Sequence, residues 1–195
     1  MAVVKIVVWS CLVAVLGYFA SQEFAMVTES FSIQKLIPAE RKDVFDLLIN
    51  PDYLLKFHSL CVGITNVTTV HGRDGTKTVQ YVFHEAPVIS LGFFETRQII
   101  IFPVNLTVVE ENAIIESRAS LMGGYFKIKQ MWKMADYTNG NEKDVITSIE
   151  EHFEGTSFRI LLRYSKKVAF GVHNNLVENM IQHFLKESKK SNHDK

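Results

Sequence analysis

Any chemistry in this chain must come from a small number of scattered polar groups. The seven histidines (His58, His71, His84, His152, His173, His183 and His193) form no HxH or HxxxH pair and have no pair of cysteines beside them, so their spacing matches no metal site. There is no GxSxG elbow and no glycine-rich phosphate loop, and Gly123-Gly124 reads as a hairpin turn. No catalytic residue, metal ligand or cofactor is therefore expected. One run, Glu150-Glu151-His152, looks like an acid–base cluster, but neighbours on a strand point to opposite faces. Val145, Thr147, Ile149 and Phe153 share the parity of Glu151, which puts Glu151 on the inner face; a carboxylate at a sheet rim is the plainer alternative. Tyr81 and Gln130 sit among apolar residues of their own faces. Arg97 and Arg118 lie on strands of mixed character. If buried, either would need a carboxylate partner or an anionic head group; as solvated residues they need neither.

These groups must be held by elements that the periodicity lays out. Phe31, Ile33, Leu36 and Ile37 form a strand-like run ending at Pro38, a residue suited to the first turn of a helix. Val44, Phe45, Leu47 and Leu48 then fall on one helical face, opposite Glu40 to Asp43. Asn50-Pro51 breaks that helix, and Asp52 to His58 predicts a second, short one. A meander follows: Val62–Val70, a turn at His71–Gly75, Thr76–Glu85 with Val79, Tyr81 and Phe83 on one face, and a long strand Leu91–Phe102 that Pro103 ends or bends. Ala113–Leu121, Tyr125–Ala135 and Val145–Phe153 complete it. Phe126, Ile128, Gln130, Trp132 and Met134 share one face, opposite Lys127, Lys129 and Lys133, the mark of a half-buried strand. A last helix is predicted from about Thr156 to Glu187, with Phe158, Leu162, Ser165, Ala169, Val172, Leu176, Met180 and Phe184 as its stripe; the alternative is that Ser157 to Leu162 prolongs the preceding strand. Its small residues Ser165, Ala169 and Gly171 allow close approach to the sheet. About 30 residues of helix span roughly 45 Å, enough to cross the mouth of a curved sheet.

The wording strand, then IPAERxxVFDLL, then NPDYLLKF over Phe31–Cys61 resembles the opening of the START-like superfamily, which includes polyketide cyclases, Bet v 1-type proteins and lipid-transfer START domains. The likeness would cover residues 29–188. It implies an α+β helix-grip fold: a curved antiparallel sheet of about seven strands closed by a long C-terminal helix, here preceded by an N-terminal hydrophobic helix. It implies no particular activity, because the superfamily spans carriers, receptors, cyclases and hydrolases without a shared catalytic motif. The expected ligand cavity is walled by Tyr81, Phe83, Phe126, Ile128, Gln130, Trp132 and Glu151 from the sheet and by Leu162, Ala169, Val172, Leu176 and Met180 from the helix.

At 195 residues with 21 basic and 21 acidic side chains, the chain leaves one domain and no net charge to bind nucleic acid. Residues 189–195 read as a basic tail. Residues 1–22 read as a signal anchor or signal peptide, because Ile6 to Ala20 is uncharged and apolar, with Val3 and Val4 extending it past Lys5. Lys5 before the run and Glu23 and Glu29 after it orient the domain toward the secretory lumen or the outside, with the protein secreted if the segment is cleaved. The sequons at Asn66 and Asn105 agree with that location, whereas Cys61, alone in the domain, can form no internal disulfide. The expected partners are a membrane, through residues 3–20, and a hydrophobic small molecule or lipid. The reading is a binding protein for a lipid, sterol or isoprenoid-like ligand; the alternatives are a cyclase-like or hydrolase-like enzyme, or an interaction module with a filled cavity.

Overall fold

The computed structural model describes residues 2–73, 75–91, 94–138 and 145–193, without the side chains of residues 2–9, 89–91, 94 and 189–193. Helix α1 (Ala2–Glu23) leads into strand β1 (Met26–Ile37). Helices α2 (Arg41–Ile49) and α3 (Pro51–Phe57) follow, then β2 (Cys61–His71), β3 (Lys77–Glu85), the short pair β4 (Val88–Leu91) and β5 (Phe94–Arg97), β6 (Ile100–Glu110), β7 (Ile114–Leu121), β8 (Phe126–Tyr137), β9 (Ile146–Phe158) and helix α4 (Arg159–His193). Seven strands form one antiparallel sheet in the order β1-β9-β8-β7-β6-β3-β2, and β4 with β5 makes a separate hairpin. This is the α+β helix-grip architecture.

Local chemistry accounts for the boundaries. Asn50 ends α2 and caps α3, its side-chain oxygen accepting the Asp52 N–H at 3.0 Å, while Pro51 takes the first helical position. Pro38 does not begin α2, which starts at Arg41 behind Glu40. The β7–β8 connection is a tight turn whose Gly123 and Gly124 have φ of +65° and +96°, values that only glycine adopts without strain.

Three expected boundaries are corrected. Leu91–Phe102 is not one strand: β4 and β5 fold back as a hairpin, and the sheet resumes at Ile100. Pro103 does not end the strand but lies within β6. The ladder to β7 begins only at Val104, so Pro103 sits at the end of that ladder, where a missing N–H removes little. The closing helix starts at Arg159, not near Thr156. Met26–Ile37 pairs with β9 along its whole length, and those backbone bonds hold Thr156 to Phe158 extended. At the other end α4 continues through the expected tail as far as His193, the side chains beyond residue 188 lying outside the described set.

The core lies between the concave face of the sheet and the helices. Val44, Phe45, Leu47 and Leu48 of α2 and Leu176, Val177, Met180 and Phe184 of α4 meet Ile37, Ile115, Trp132, Met134 and Ile149. Each such buried aliphatic or aromatic side chain contributes about 1.5–3 kcal/mol relative to exposure. α4 lies against β1, β9 and α3. Thus the C-terminal half of α4 seals the core, while its first turns pass over Gly155, where a Cβ would stand 3.2 Å from Leu162 Cδ2. Gly171, expected at a close approach, is exposed with nothing near it.

α1 stands apart from this core. Leu12, Val13, Val15, Leu16, Tyr18 and Phe19 are all exposed, and the helix is tied to the domain at its end, by Glu23 to Arg163 (2.9 Å) and by the edge contact of Phe24 with Phe158. Among the described residues no helix is long and apolar enough to cross a membrane; the expected span draws in part on Val3 to Trp9, whose side chains lie outside the described set.

Candidate ligand-binding site

Between sheet and α4 lie two connected spaces. An outer chamber of about 400 Å³ is walled by Phe31, Ile100, Phe126, Phe153, Leu162 and Val172, among others, and is largely apolar. Behind it, toward α2 and α3, a smaller space of about 80 Å³ is lined by Leu48, Tyr81, Phe83, Trp132 and Leu176. Ile128, Phe153, His58, Glu85 and His173 border both, so the polar groups sit where the two spaces meet.

The expected wall residues divide accordingly. Tyr81, Phe83, Gln130, Trp132 and Leu176 border the inner space; Phe126, Leu162, Ala169 and Val172 border the outer one; Ile128 borders both. Met180 borders neither: it is fully buried in the core cluster. Glu151 points inward, as its parity requires, but lies behind Gln130 and His173 rather than in the wall. Arg97 and Arg118 anchor nothing in the cavity. Arg97 donates to the Ala86 carbonyl, and Arg118 lies on the outer sheet face, paired with Glu116. Asn66 and Asn105 are both exposed.

Around Glu151 a polar cluster is assembled from five elements. Glu151 is 1% exposed, and its Oε1 lies 2.7 Å from His173 Nδ1 and also accepts from Gln130 Nε2. His173 Nδ1 is also 3.2 Å from Gln130 Nε2, but a nitrogen that donates to the carboxylate cannot accept from the amide. The short carboxylate contact therefore places a hydrogen on Nδ1 toward Glu151, and Nε2 is the ring's remaining group, a donor when the ring is protonated. His58, 7% exposed, stands edge-on to His173 with ring centroids 5.8 Å apart, and its Nε2 is 3.5 Å from Glu85 Oε1. His58 Nδ1 and Glu151 Oε2 are buried without a partner.

The charges follow from these contacts. Burial, aided by the His173 charge, drives His58 down to about 3, so it is neutral. Burial alone would lower His173 too, but the Glu151 charge, the hydrogen bond to it and the Glu85 charge together hold it above its ordinary value. Burial raises Glu85, against the pull of His173.

His58, Glu85, His173 and Phe153 were not among the expected site residues. Two could have been found by extending patterns already in use. Glu85 shares the parity of Val79, Tyr81 and Phe83, and His173 falls on the α4 stripe between Ala169 and Leu176. His58 carries no such signal, because it is placed by the end of α3 rather than by a periodic face.

No family model and no curated protein matches the sequence. Solved structures do match it in fold. A protein from Thermus thermophilus is 13% identical, with 82% of this chain and 99% of that one covered at a TM-score of 0.57. A START superfamily protein from Mycobacterium smegmatis is 10% identical over 82% and 98% of the two chains at 0.56. A norcoclaurine synthase from Thalictrum flavum, solved with dopamine and hydroxybenzaldehyde, is 11% identical over 85% and 91% at 0.50. The chain therefore shares the helix-grip fold of these START-like structures.

Proposed function

We propose that this protein binds a hydrophobic small molecule, of the lipid, sterol or isoprenoid kind, in the chamber between its sheet and α4, beside a membrane. The observation that carries the reading is the outer chamber: about 400 Å³, within the range of small-molecule sites, mostly apolar, with a few convergent polar groups at its inner end. Membrane placement rests on α1, whose described apolar side chains from Leu12 to Phe19 the domain leaves uncovered. Such helices are buried in a large core or in lipid. The chamber's lining reaches the same end: it includes Leu121 at the end of β7, Met122 of the β7–β8 turn and Tyr164 of α4, while Phe158, which α1 reaches through Phe24, also stacks on Tyr125. Exposed Met122, Tyr125 and Tyr164 would face the bilayer from which a ligand enters.

A second reading, an acid–base enzyme of the cyclase kind, is favoured by the Glu151–His173 pair, in which a buried carboxylate orients an imidazole at a chamber wall. Native mass spectrometry of the full chain purified from its own cells tests both. A co-purifying hydrophobic molecule of one mass, unchanged on incubation, supports the carrier. Conversion of that molecule, lost in His173→Gln, supports the enzyme, and empty protein throughout rejects the carrier.

A further inference from the structure

The inner end of the chamber presents an acceptor and a donor facing a common space. Glu85 accepts no hydrogen bond among the described residues: its close polar contact is the neutral His58, whose Nε2 lies 3.5 Å from Oε1. His173 spends Nδ1 on Glu151, which leaves Nε2 as its second polar atom. No ion pair joins Glu85 to His173, although each feels the other's charge and both border the chamber. The two are therefore near but not in contact, and the partly buried Glu85 carboxyl accepts no hydrogen bond from either histidine.

The charges in and behind the wall of this gap restrict what can fill it, Glu151 lying behind Gln130 and His173. From β3 comes Glu85, from β9 Glu151, from α4 His173, from the end of α3 the neutral His58, and from β8 the neutral Gln130. Two carboxyl groups against one imidazolium disfavour a carboxylate or phosphate head. The imidazolium beside Glu85 disfavours an ammonium. A carbonyl oxygen would accept from His173 but leave Glu85 unsatisfied. A hydroxyl does both: it accepts from His173 Nε2–H and donates to Glu85.

We infer that the junction of Glu85 and His173 is a hydroxyl-recognition site, so that the ligand is an apolar alcohol rather than an acid, amine or plain hydrocarbon. This rests on the apolar-chamber reading above. Trp132, in the wall of the inner space, supplies a local reporter, and Trp9→Phe makes it the sole tryptophan of the chain.

The test uses the full chain carrying Trp9→Phe in phospholipid nanodiscs. Quenching of Trp132 by 2-bromododecan-1-ol is competed with dodecan-1-ol, dodecane or dodecanoate. Dodecan-1-ol is expected to compete about tenfold better than either of the others, the contribution of one hydrogen bond to a charged group. In Glu85→Leu, and in the paired change Glu151→Leu with His173→Phe that leaves no buried charge alone, that advantage should disappear while dodecane competes as before. Equal competition by dodecane and dodecan-1-ol in the unsubstituted site overturns the hydroxyl assignment but leaves the apolar chamber standing. Stronger competition by dodecanoate overturns it in favour of an anionic head group. Absence of quenching by the brominated alcohol overturns both readings.

Discussion

The two buried histidines at the chamber's inner end respond to pH in opposite senses. His58 titrates at 6.5 in the unfolded chain and is held at about 3 in the fold, so between those values the unfolded state binds the extra proton. Stability must therefore fall as pH drops from 6.5 toward 3, by up to about 1.4 kcal/mol per pH unit. His173 is raised, so its contribution is complete below 6.5 and is lost as pH climbs through its folded value. Glu85, also raised, gains as pH falls toward 4.5 and partly offsets His58. Urea midpoints measured across pH should peak near 6.5. His58→Phe should flatten the acid limb and leave the alkaline limb, whereas an unchanged acid limb would mean that other groups set it. A related expectation concerns Glu151. Glu151→Ala strands His173 and Gln130 in the interior and should destabilise by about 3–5 kcal/mol, whereas Glu151→Leu together with His173→Phe should recover most of that. Chemical denaturation of the single and double variants decides it.

Among the elements, α4 does two jobs along one stripe. Its later turns, through Leu176, Val177 and Met180, are core, and its earlier turns, through Leu162, Ala169 and Val172, roof the chamber. A bulky change should then behave differently at two positions of the same face. Ala169→Trp should lower binding of a fluorescent sterol sharply while shifting the melting temperature little, because the chamber accepts the ring. Val177→Trp, in full packing, should lose about 1–3 kcal/mol or more from overpacking. A large melting-temperature drop for Ala169→Trp with no sterol binding by the parent chain would mean a filled interior. The same division explains why Met180 was expected in the cavity wall and lies instead in the core: it shares the stripe but sits beyond the point where α3 closes the chamber.

For the whole molecule, α1 and the domain are nearly separable in energy, since α1 buries none of its described apolar side chains in the core. Removing residues 2–24 should change the unfolding free energy by no more than about 0.5 kcal/mol, as for surface changes generally. The same deletion should release the domain from membranes that retain the full chain through an alkaline wash. Retention of the shortened chain would point to the rim of Met122, Tyr125 and Tyr164 as a sufficient anchor. Topology is checked separately. With the domain on the luminal side, it should resist protease in intact microsomes and carry glycans at Asn66 or Asn105. Digestion from the cytosolic side would reverse the proposed orientation without testing the proposed anchor.

Much of the architecture was legible in the sequence because it rests on short-range periodicity. The alternation through Val79–Phe83 and Phe126–Met134 assigned those strands and their inner faces. The parity of Glu151 with Ile149 and Phe153 sent its carboxylate inward, and the helical stripe from Leu162 to Phe184 required a sheet to cover. The breaks at Asn50-Pro51 and Gly123-Gly124 were equally local, one a cap and one a pair of left-handed residues. Only the tertiary structure decided the rest. Strand pairing with β1 held Thr156 to Phe158 extended, against the helical pattern that follows, and the ladder end at Val104 let Pro103 remain within a strand. The polar cluster joins His58, Glu85, Glu151 and His173, residues far apart in the chain, and no spacing rule encodes a contact between the end of α3 and the middle of α4. That contact exists because one long helix closes over the sheet, bringing four distant polar groups to the junction of the two spaces beneath it.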